Sequence, residues 1–205
     1  RCRRCERLAT FLDEVRGRLP GYHAKPVPAF GDASPQLLVV GLAPGMHGAN
    51  RTGRPFTGDY AGELLYATLH RFGWSTMAVS TDAQDALRLR GCRITNAVKC
   101  LPPKNKPLPT EVRSCNGYLS AELEAMGPGT AVLALGLVAH GAVLLASRER
   151  TSARLFGHGA EHTLGRGIRL FDSYHCSRYN TQTKRLTAIM FETVFERIAS
   201  FLGHR

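Results

Sequence analysis

Residues 39–62 read V-V-G-L-A-P-G-M-H-G-A-N-R-T-G-R-P-F-T-G-D-Y-A-G, and the interpretation of the whole chain starts from this stretch. The apolar run 37–40 predicts a buried β-strand that ends at Gly41. Glycines and prolines then form a loop, and a helix is expected to begin near Asp59. A loop that leaves the carboxyl end of a strand is where α/β folds place ligands, so the stretch predicts a ligand-binding loop. Its spacing fits neither G-x-G-x-x-G nor a P-loop, which disfavours an ordinary nucleotide cofactor.

The full order of residues in two stretches of the chain is more specific than their glycine content. G-L-A-P-G (41–45) followed by H-G-A-N-R-T-G-R-P-F-T-G-D (47–59) closely resembles the first active-site motif of family 5, or type b, uracil-DNA glycosylases. H-C-S-R-Y-N-T-Q-T-K-R-L-T (175–187) resembles that family's second motif, H-x-S-x-x-N-x-x-T-x-R-L-T. The resemblance covers nearly the whole chain. It implies a monofunctional glycosylase that removes uracil, or other deaminated bases, from DNA and leaves an abasic site.

The composition is consistent with a nucleic-acid-binding protein. The chain has 205 residues and a formal net charge of +11, with basic residues spread along its length. That charge is the electrostatic footprint of a nucleic-acid binder, although a protein can be basic without this function. No apolar run reaches the roughly 18 residues of a membrane span, and the polar stretch 1–5 does not look like a secretion signal. We therefore expect an intracellular monomer that acts on chromosomal DNA without a membrane partner.

Strand and helix patterns alternate along the chain. Strands are predicted at 36–41, 93–99, 130–135 and 168–174, and helices at 2–18, 59–71, 82–89, 110–126, 138–146 and 183–202. Thr57 is expected to cap the second helix. The alternation predicts an α/β fold, namely a single three-layer α/β/α domain over 1–205 with a central, mainly parallel sheet. This is also the uracil-DNA glycosylase-like arrangement, with an iron-sulfur cluster loop, that the resemblance implies.

Four of the six cysteines form a recognisable set. Cys2 and Cys5 are separated by two residues, whereas Cys100 and Cys115 lie in a proline-rich loop and in the helix after it. On ligand count alone, four thiolates suit zinc or an iron-sulfur cluster, and unlinked thiols are the alternative. The resemblance implies a structural 4Fe-4S cluster on these four residues, because families 4 and 5 carry one with this arrangement.

The resemblance also implies a base pocket. It assigns Phe56 to stacking on the flipped base, Asn96 to reading the uracil edge, and His175 to donating a hydrogen bond to uracil O2. An amide suits the reading role because it offers both a donor and an acceptor to N3–H and O4. Gly41, Leu42 and Ala43 complete the predicted substrate site. A core phenylalanine, a strand-end asparagine and a structural histidine are the alternatives.

The general base is harder to predict. Leu42 and Ala43 occupy the place where many uracil-DNA glycosylases have Asp, Asn or Glu, and neither side chain can polarise water. A dissociative reaction driven by stabilisation of the leaving base is therefore expected. Asp59 is the nearest carboxylate in sequence, and it is predicted either to orient water or to cap a helix.

The second motif predicts the DNA-binding face. Its loop is expected to enter the minor groove with Arg178 and Tyr179 as wedges. Further predicted DNA-binding residues, mostly phosphate contacts, are Arg51, Arg54, Ser177, Lys184 and Arg185. Two other function classes remain: a non-catalytic iron-sulfur DNA-binding module, and a zinc-containing nucleotide hydrolase. The intact set of Phe56, Asn96 and His175 disfavours the first, and the missing metal-ligand carboxylates and P-loop lysine disfavour the second.

Overall fold

A six-stranded sheet organises the molecule, in a computed structural model that describes residues 2–203. The strands are β1 (Phe30–Gly31), β2 (Leu37–Gly41), β3 (Cys92–Asn96), β4 (Ala131–Leu135), β5 (Glu161–Thr163) and β6 (Arg169–Ser173), in the order β1-β3-β2-β4-β6-β5. The four central strands are parallel, and the two short edge strands are antiparallel to their neighbours. The predicted mainly parallel sheet is therefore confirmed.

Helices cover both faces of the sheet. They are α1 (Glu6–Arg18), α2 (Ala49–Thr52), α3 (Tyr60–Arg71), α4 (Pro109–Glu124), α5 (Leu137–Ala146), α6 (Arg178–Gln182) and α7 (Ala188–Leu202). Successive side chains of a strand point to opposite faces, so Val39 packs with α3 and α7 whereas Val40 packs with α4 and α5. Burial on both faces explains the uninterrupted apolar runs of β2 and β4, and it confirms the three-layer α/β/α architecture.

Several predicted boundaries are wrong. Residues 82–89 form turns rather than a helix, and α1 begins at Glu6 instead of near residue 2. The last helix begins at Ala188, with Thr187 as its N-cap. Residues 183–187, predicted to be helical, connect α6 to α7. Asp59, and not Thr57, caps α3 by accepting a hydrogen bond from the Gly62 N–H. The sequence patterns also missed β1, β5 and α2.

The topology brings three long loops together at the carboxyl ends of the parallel strands. The segments after β2, β3 and β6 all leave the carboxyl ends of parallel strands. Strand β2 lies between β3 and β4, so the chain connections diverge on either side of it, which is where α/β sheets form their ligand crevice. Within residues 2–203, no helix has the length and apolarity required to cross a membrane.

Candidate active site

A cavity of about 320 Å³ opens at the carboxyl ends of the parallel strands. It is lined by residues from all three loops, among them Leu42, Ala43, Phe56, Asp59, Asn96, His175 and Ser177. The structure thus brings together the predicted stacking, reading and donating residues, which lie far apart in sequence. Most of its walls are apolar, and a few polar groups converge on the interior, as is typical of a small-molecule site.

Phe56 is held in the cavity wall by its backbone. Its φ of 54° lies in the left-handed region, which is unfavourable for a phenylalanine. The neighbouring Pro55 carbonyl accepts a 2.9 Å hydrogen bond from the Tyr66 hydroxyl, and Gly62 packs directly against the Phe56 carbonyl. The Phe56 ring faces the His175 ring at 5.9 Å between centroids and 27° between planes. Phe56 therefore belongs to the hydrophobic core and also lines the cavity, where its ring contributes an aromatic wall.

Asn96 ends β3 directly beside Gly41 of β2. Its side chain is 4% exposed, and its amide oxygen has no hydrogen-bond partner among the described residues. A buried acceptor without a partner is costly, so such an atom is expected to serve a ligand. A Cβ at Gly41 would overlap this oxygen and the Phe56 ring, so the absence of a side chain at Gly41 keeps the pocket open.

His175 follows β6 and lines the cavity. Burial lowers the pKa of its imidazole from 6.5 to about 4. The imidazole is therefore neutral at physiological pH and can still donate one N–H. The Asn180 amide donates a 2.8 Å hydrogen bond to the His175 carbonyl, which fixes the backbone from which the ring projects.

Asp59 has a structural role in addition to its place in the cavity wall. Its carboxylate accepts a 3.1 Å hydrogen bond from the Gly62 N–H at the start of α3, and it packs against the backbone of Gly48. Burial raises the pKa of this carboxyl. The capping role is thus observed, and the catalytic role stays a prediction.

The four predicted cluster cysteines, Cys2, Cys5, Cys100 and Cys115, line one small cavity together with Leu8 and Val98. The Lys99 N–H points at the Cys115 sulfur over 3.3 Å, a contact of the kind that tunes metal-bound thiolates. Nearby, Arg7 of α1 makes two hydrogen bonds to Glu111 of α4, at 2.7 and 2.8 Å. Thiols from the start of α1, the loop after β3 and α4 thus share one cavity, and the group that they hold stays a prediction.

The sequence matches the family model "Uracil DNA glycosylase superfamily" over residues 28–199. The chain belongs to this superfamily. It is 48% identical to a "Type-5 uracil-DNA glycosylase" of Thermus thermophilus, in an alignment covering 98% of this chain and 94% of that protein. Proteins of the same name from Mycobacterium bovis and Pyrobaculum aerophilum are 43% and 42% identical over 98% of this chain, with 78% and 89% of their own lengths covered. These relatives confirm the predicted family 5 resemblance.

In this superfamily member, the second motif presents several predicted DNA-binding residues beside the cavity mouth. Ser177 lines the cavity and caps α6. Tyr179 on α6 is 71% exposed, and Arg178 and Lys184 are exposed as well. The Arg178 guanidinium lies 5.0 Å from the centroid of the Tyr60 ring, and Arg185 lies 4.6 Å from that of Tyr174. These positions leave the positive charges at the surface.

The structure corrects one of the predicted phosphate contacts. Arg54 is 4% exposed, and its guanidinium contacts Asp85 at 2.5 Å and the Ala83 carbonyl at 2.7 Å. It also lies over the Phe30 ring, 4.4 Å from its centroid. All of these partners are internal, so Arg54 braces the motif loop and is not available to a phosphate. Arg51 is half-buried, and its Nε donates to the His47 carbonyl at 2.7 Å.

Sequence reasoning missed two residues of the site. Asn105 lines the cavity from the loop after β3 and has a φ of 54°. Asparagine tolerates this backbone region, so its place in the proline-rich stretch K-N-K-P was a usable signal for a turn that points into the site. Asn180 supports His175, and its fixed place in the second motif was the only hint of that role.

Proposed function

We propose that this chain is a DNA-repair glycosylase that hydrolyses the N-glycosidic bond of uracil in DNA and leaves an abasic site. One observation carries the proposal: an aromatic face, an unpartnered amide oxygen and a neutral imidazole share one cavity of about 320 Å³. Base excision requires such a pocket, because the base must be rotated out of the duplex to be reached. We further propose that the protein acts inside the cell as a monomer and accepts other deaminated bases.

The chemistry follows from the donors and acceptors of the cavity. Phe56 stacks on the flipped base. The Asn96 oxygen accepts from uracil N3–H while the amide NH₂ donates to O4, a pairing that cytosine cannot satisfy. As the glycosidic bond breaks, negative charge develops on the base, and the N–H of His175 stabilises it at O2. Water then adds to the cationic sugar carbon, and its proton passes to the departed base or to solvent, so that an abasic site and free uracil remain. Leu42 and Ala43 offer no side-chain base, so leaving-group stabilisation supplies most of the rate.

Incubating the protein with a duplex that carries one uracil tests this function directly. We expect strand breaks only after alkali treatment, because the product is an abasic site. The described residues that line the cavity include no lysine to form a Schiff base, so breaks without alkali are not expected. A matched duplex with thymine is the substrate control. If the uracil duplex stays intact, the proposed function is wrong.

The pH profile tests the state of His175. Because its pKa is about 4, the imidazole is neutral over the whole physiological range. The single-turnover rate constant should therefore be flat between about pH 5.5 and 8.5, without the decline above about pH 6.5 that an essential imidazolium would cause. The variant Asp59→Asn is the control on the acidic side. An acidic step that disappears in this variant belongs to the Asp59 carboxyl, whose pKa is raised, and a decline above about pH 6.5 would contradict a neutral donor.

We also propose that Cys2, Cys5, Cys100 and Cys115 hold a 4Fe-4S cluster with a structural role. The shared cavity and the family resemblance support it. Such a cluster would cross-link α1, the loop after β3, and α4. No step of base excision needs it for electron transfer.

Iron content tests the cluster assignment. Protein purified without oxygen should be brown and contain about four iron atoms per chain. Cys100→Ser should lose iron and colour, whereas Cys92→Ala, which changes a buried cysteine outside the set, should keep both. A colourless protein that carries zinc on these cysteines would overturn the proposal.

DNA binding is proposed to use the surface next to the cavity mouth. Arg178 and Tyr179 on α6 would hold the duplex open in the minor groove. Lys184 and Arg185, directly after α6, and Arg51 would contact phosphates. Their exposed or half-exposed side chains beside Ser177 support this orientation.

A further inference from the structure

A second cluster of polar side chains lies inside the molecule, apart from the base pocket. His140 on α5, His162 on β5 and Asp172 on β6 each offer one ligand atom, and these three atoms all lie within 4.8 Å of one another. The Asp172 side chain is fully buried, and those of His140 and His162 are 4% and 15% exposed. Neither the cysteine set nor the base pocket includes any of them.

The hydrogen bonds within this cluster are incomplete. His140 Nδ1 lies 2.9 Å from one Asp172 oxygen. The other Asp172 oxygen and His162 Nε2 face each other at 3.4 Å, and neither has a hydrogen-bond partner among the described residues. An unpaired carboxylate oxygen in the interior is expensive. A protonated His140 would satisfy the first oxygen, but it would leave the second oxygen and His162 without partners.

We propose that His140, His162 and Asp172 bind a divalent transition-metal ion, with zinc as the ion that this donor set favours. Two imidazoles and one carboxylate, with a water in the fourth position, are a common zinc ligand set. Ligand atoms about 2.0–2.2 Å from a tetrahedral ion lie roughly 3.4 Å apart. The observed separations of 2.9 and 3.4 Å are within about 0.5 Å of that value, and all three ligand atoms lie within 4.8 Å of one another, so small side-chain movements suffice to bind the ion.

The surroundings of His140 also suit a metal ligand. Its second nitrogen, Nε2, lies 2.9 Å from the Arg154 carbonyl. Metal-bound histidines usually donate their free N–H to such a carbonyl, which fixes the ring and the tautomer. With Nε2–H held in this way, Nδ1 presents its lone pair to the ion.

The site would connect α5 to the paired strands β5 and β6. Strand β5 is a three-residue edge strand that pairs only with β6 among the described strands. An ion between β5, β6 and α5 would cross-link them, and β6 leads directly to His175. The expected role is therefore structural, holding the strand that delivers the base-pocket histidine.

Zinc-dependent stability and cobalt spectroscopy of the full chain test the site. Zinc at about 100 times its Kd should raise the Tm of the wild type by about 6 °C. Cobalt should give visible ligand-field bands without a strong sulfur-to-metal charge-transfer band, because the ligands are nitrogen and oxygen. In His162→Gln, the zinc affinity should fall at least about tenfold and the cobalt bands should disappear.

His70→Gln is the matched control, since His70 lies on α3 outside the cluster. It should behave like the wild type in both measurements. An unchanged wild-type Tm with zinc would overturn the proposal. So would a Tm shift that His162→Gln retains in full, or a cobalt spectrum dominated by sulfur ligands that depends on Cys100.

Discussion

Replacing His175 by alanine should lower the single-turnover rate of uracil excision about 10²–10³-fold. The imidazole lines the cavity and is neutral at physiological pH, so it can donate its N–H to the base as negative charge develops, and water cannot replace that donor at equal strength. The loss should appear in the chemical step, because the stacking surface of Phe56 and the amide of Asn96 remain. Rapid-quench measurements with enzyme in excess over a uracil duplex report that step.

Folding must be separated from catalysis in this experiment. The circular dichroism spectrum and the urea midpoint of His175→Ala should stay close to those of the wild type, since the only cause of its pKa shift is burial and no ionic partner is lost. His70→Ala, a change at a histidine on α3, serves as the matched control and should excise uracil at the wild-type rate. If His175→Ala retained more than about a tenth of the wild-type rate while folded, leaving-group stabilisation by this residue would be wrong.

Most of the architecture could be predicted from the sequence, because the pattern of apolar residues along a strand or helix reflects which of its faces are buried. The uninterrupted apolar runs of β2 and β4 predict strands covered on both faces, and the alternation with helices predicts the parallel sheet. The edge strands β1 and β5 have two and three residues, too short for any period-two pattern to appear. Their pairing depends on neighbouring strands that no local pattern reveals.

Long-range contacts explain the remaining differences at the site. Arg54 lies in a glycine-rich loop and therefore resembles a phosphate ligand, but its guanidinium forms an ion pair with Asp85, which lies 31 positions later. Likewise, the cluster of His140, His162 and Asp172 is formed by residues of three separate elements, so no short sequence motif predicts it. Asp59 is predicted from the sequence either to orient water or to cap a helix, and the structure confirms the cap, in place of Thr57, through a hydrogen bond accepted from the Gly62 N–H.

Replacing Asn96 should separate hydrogen bonding from shape in the recognition of uracil. Asn96→Ala removes both edge contacts, and excision should fall about 10²–10⁴-fold, because hydrogen bonds to a developing charge contribute about 1.5–3 kcal/mol each. Asn96→Asp nearly preserves the shape, yet at about pH 8 it should be at least as slow as Asn96→Ala. An ionised carboxylate has no N–H for O4, and its charge repels the departing anion.

Acidification should distinguish the two variants further. Protonating the carboxyl of Asn96→Asp restores a donor beside an acceptor, so its rate should recover as the pH is lowered, while that of Asn96→Ala stays low. Stability supplies an internal control, because the Asn96 oxygen has no partner among the described residues of the free protein. Removing it in Asn96→Ala should therefore leave the urea midpoint unchanged or raise it. Wild-type activity of Asn96→Asp at about pH 8 would show that this side chain acts through shape alone, and the amide would then be kept in the pocket for a reason other than reading the base.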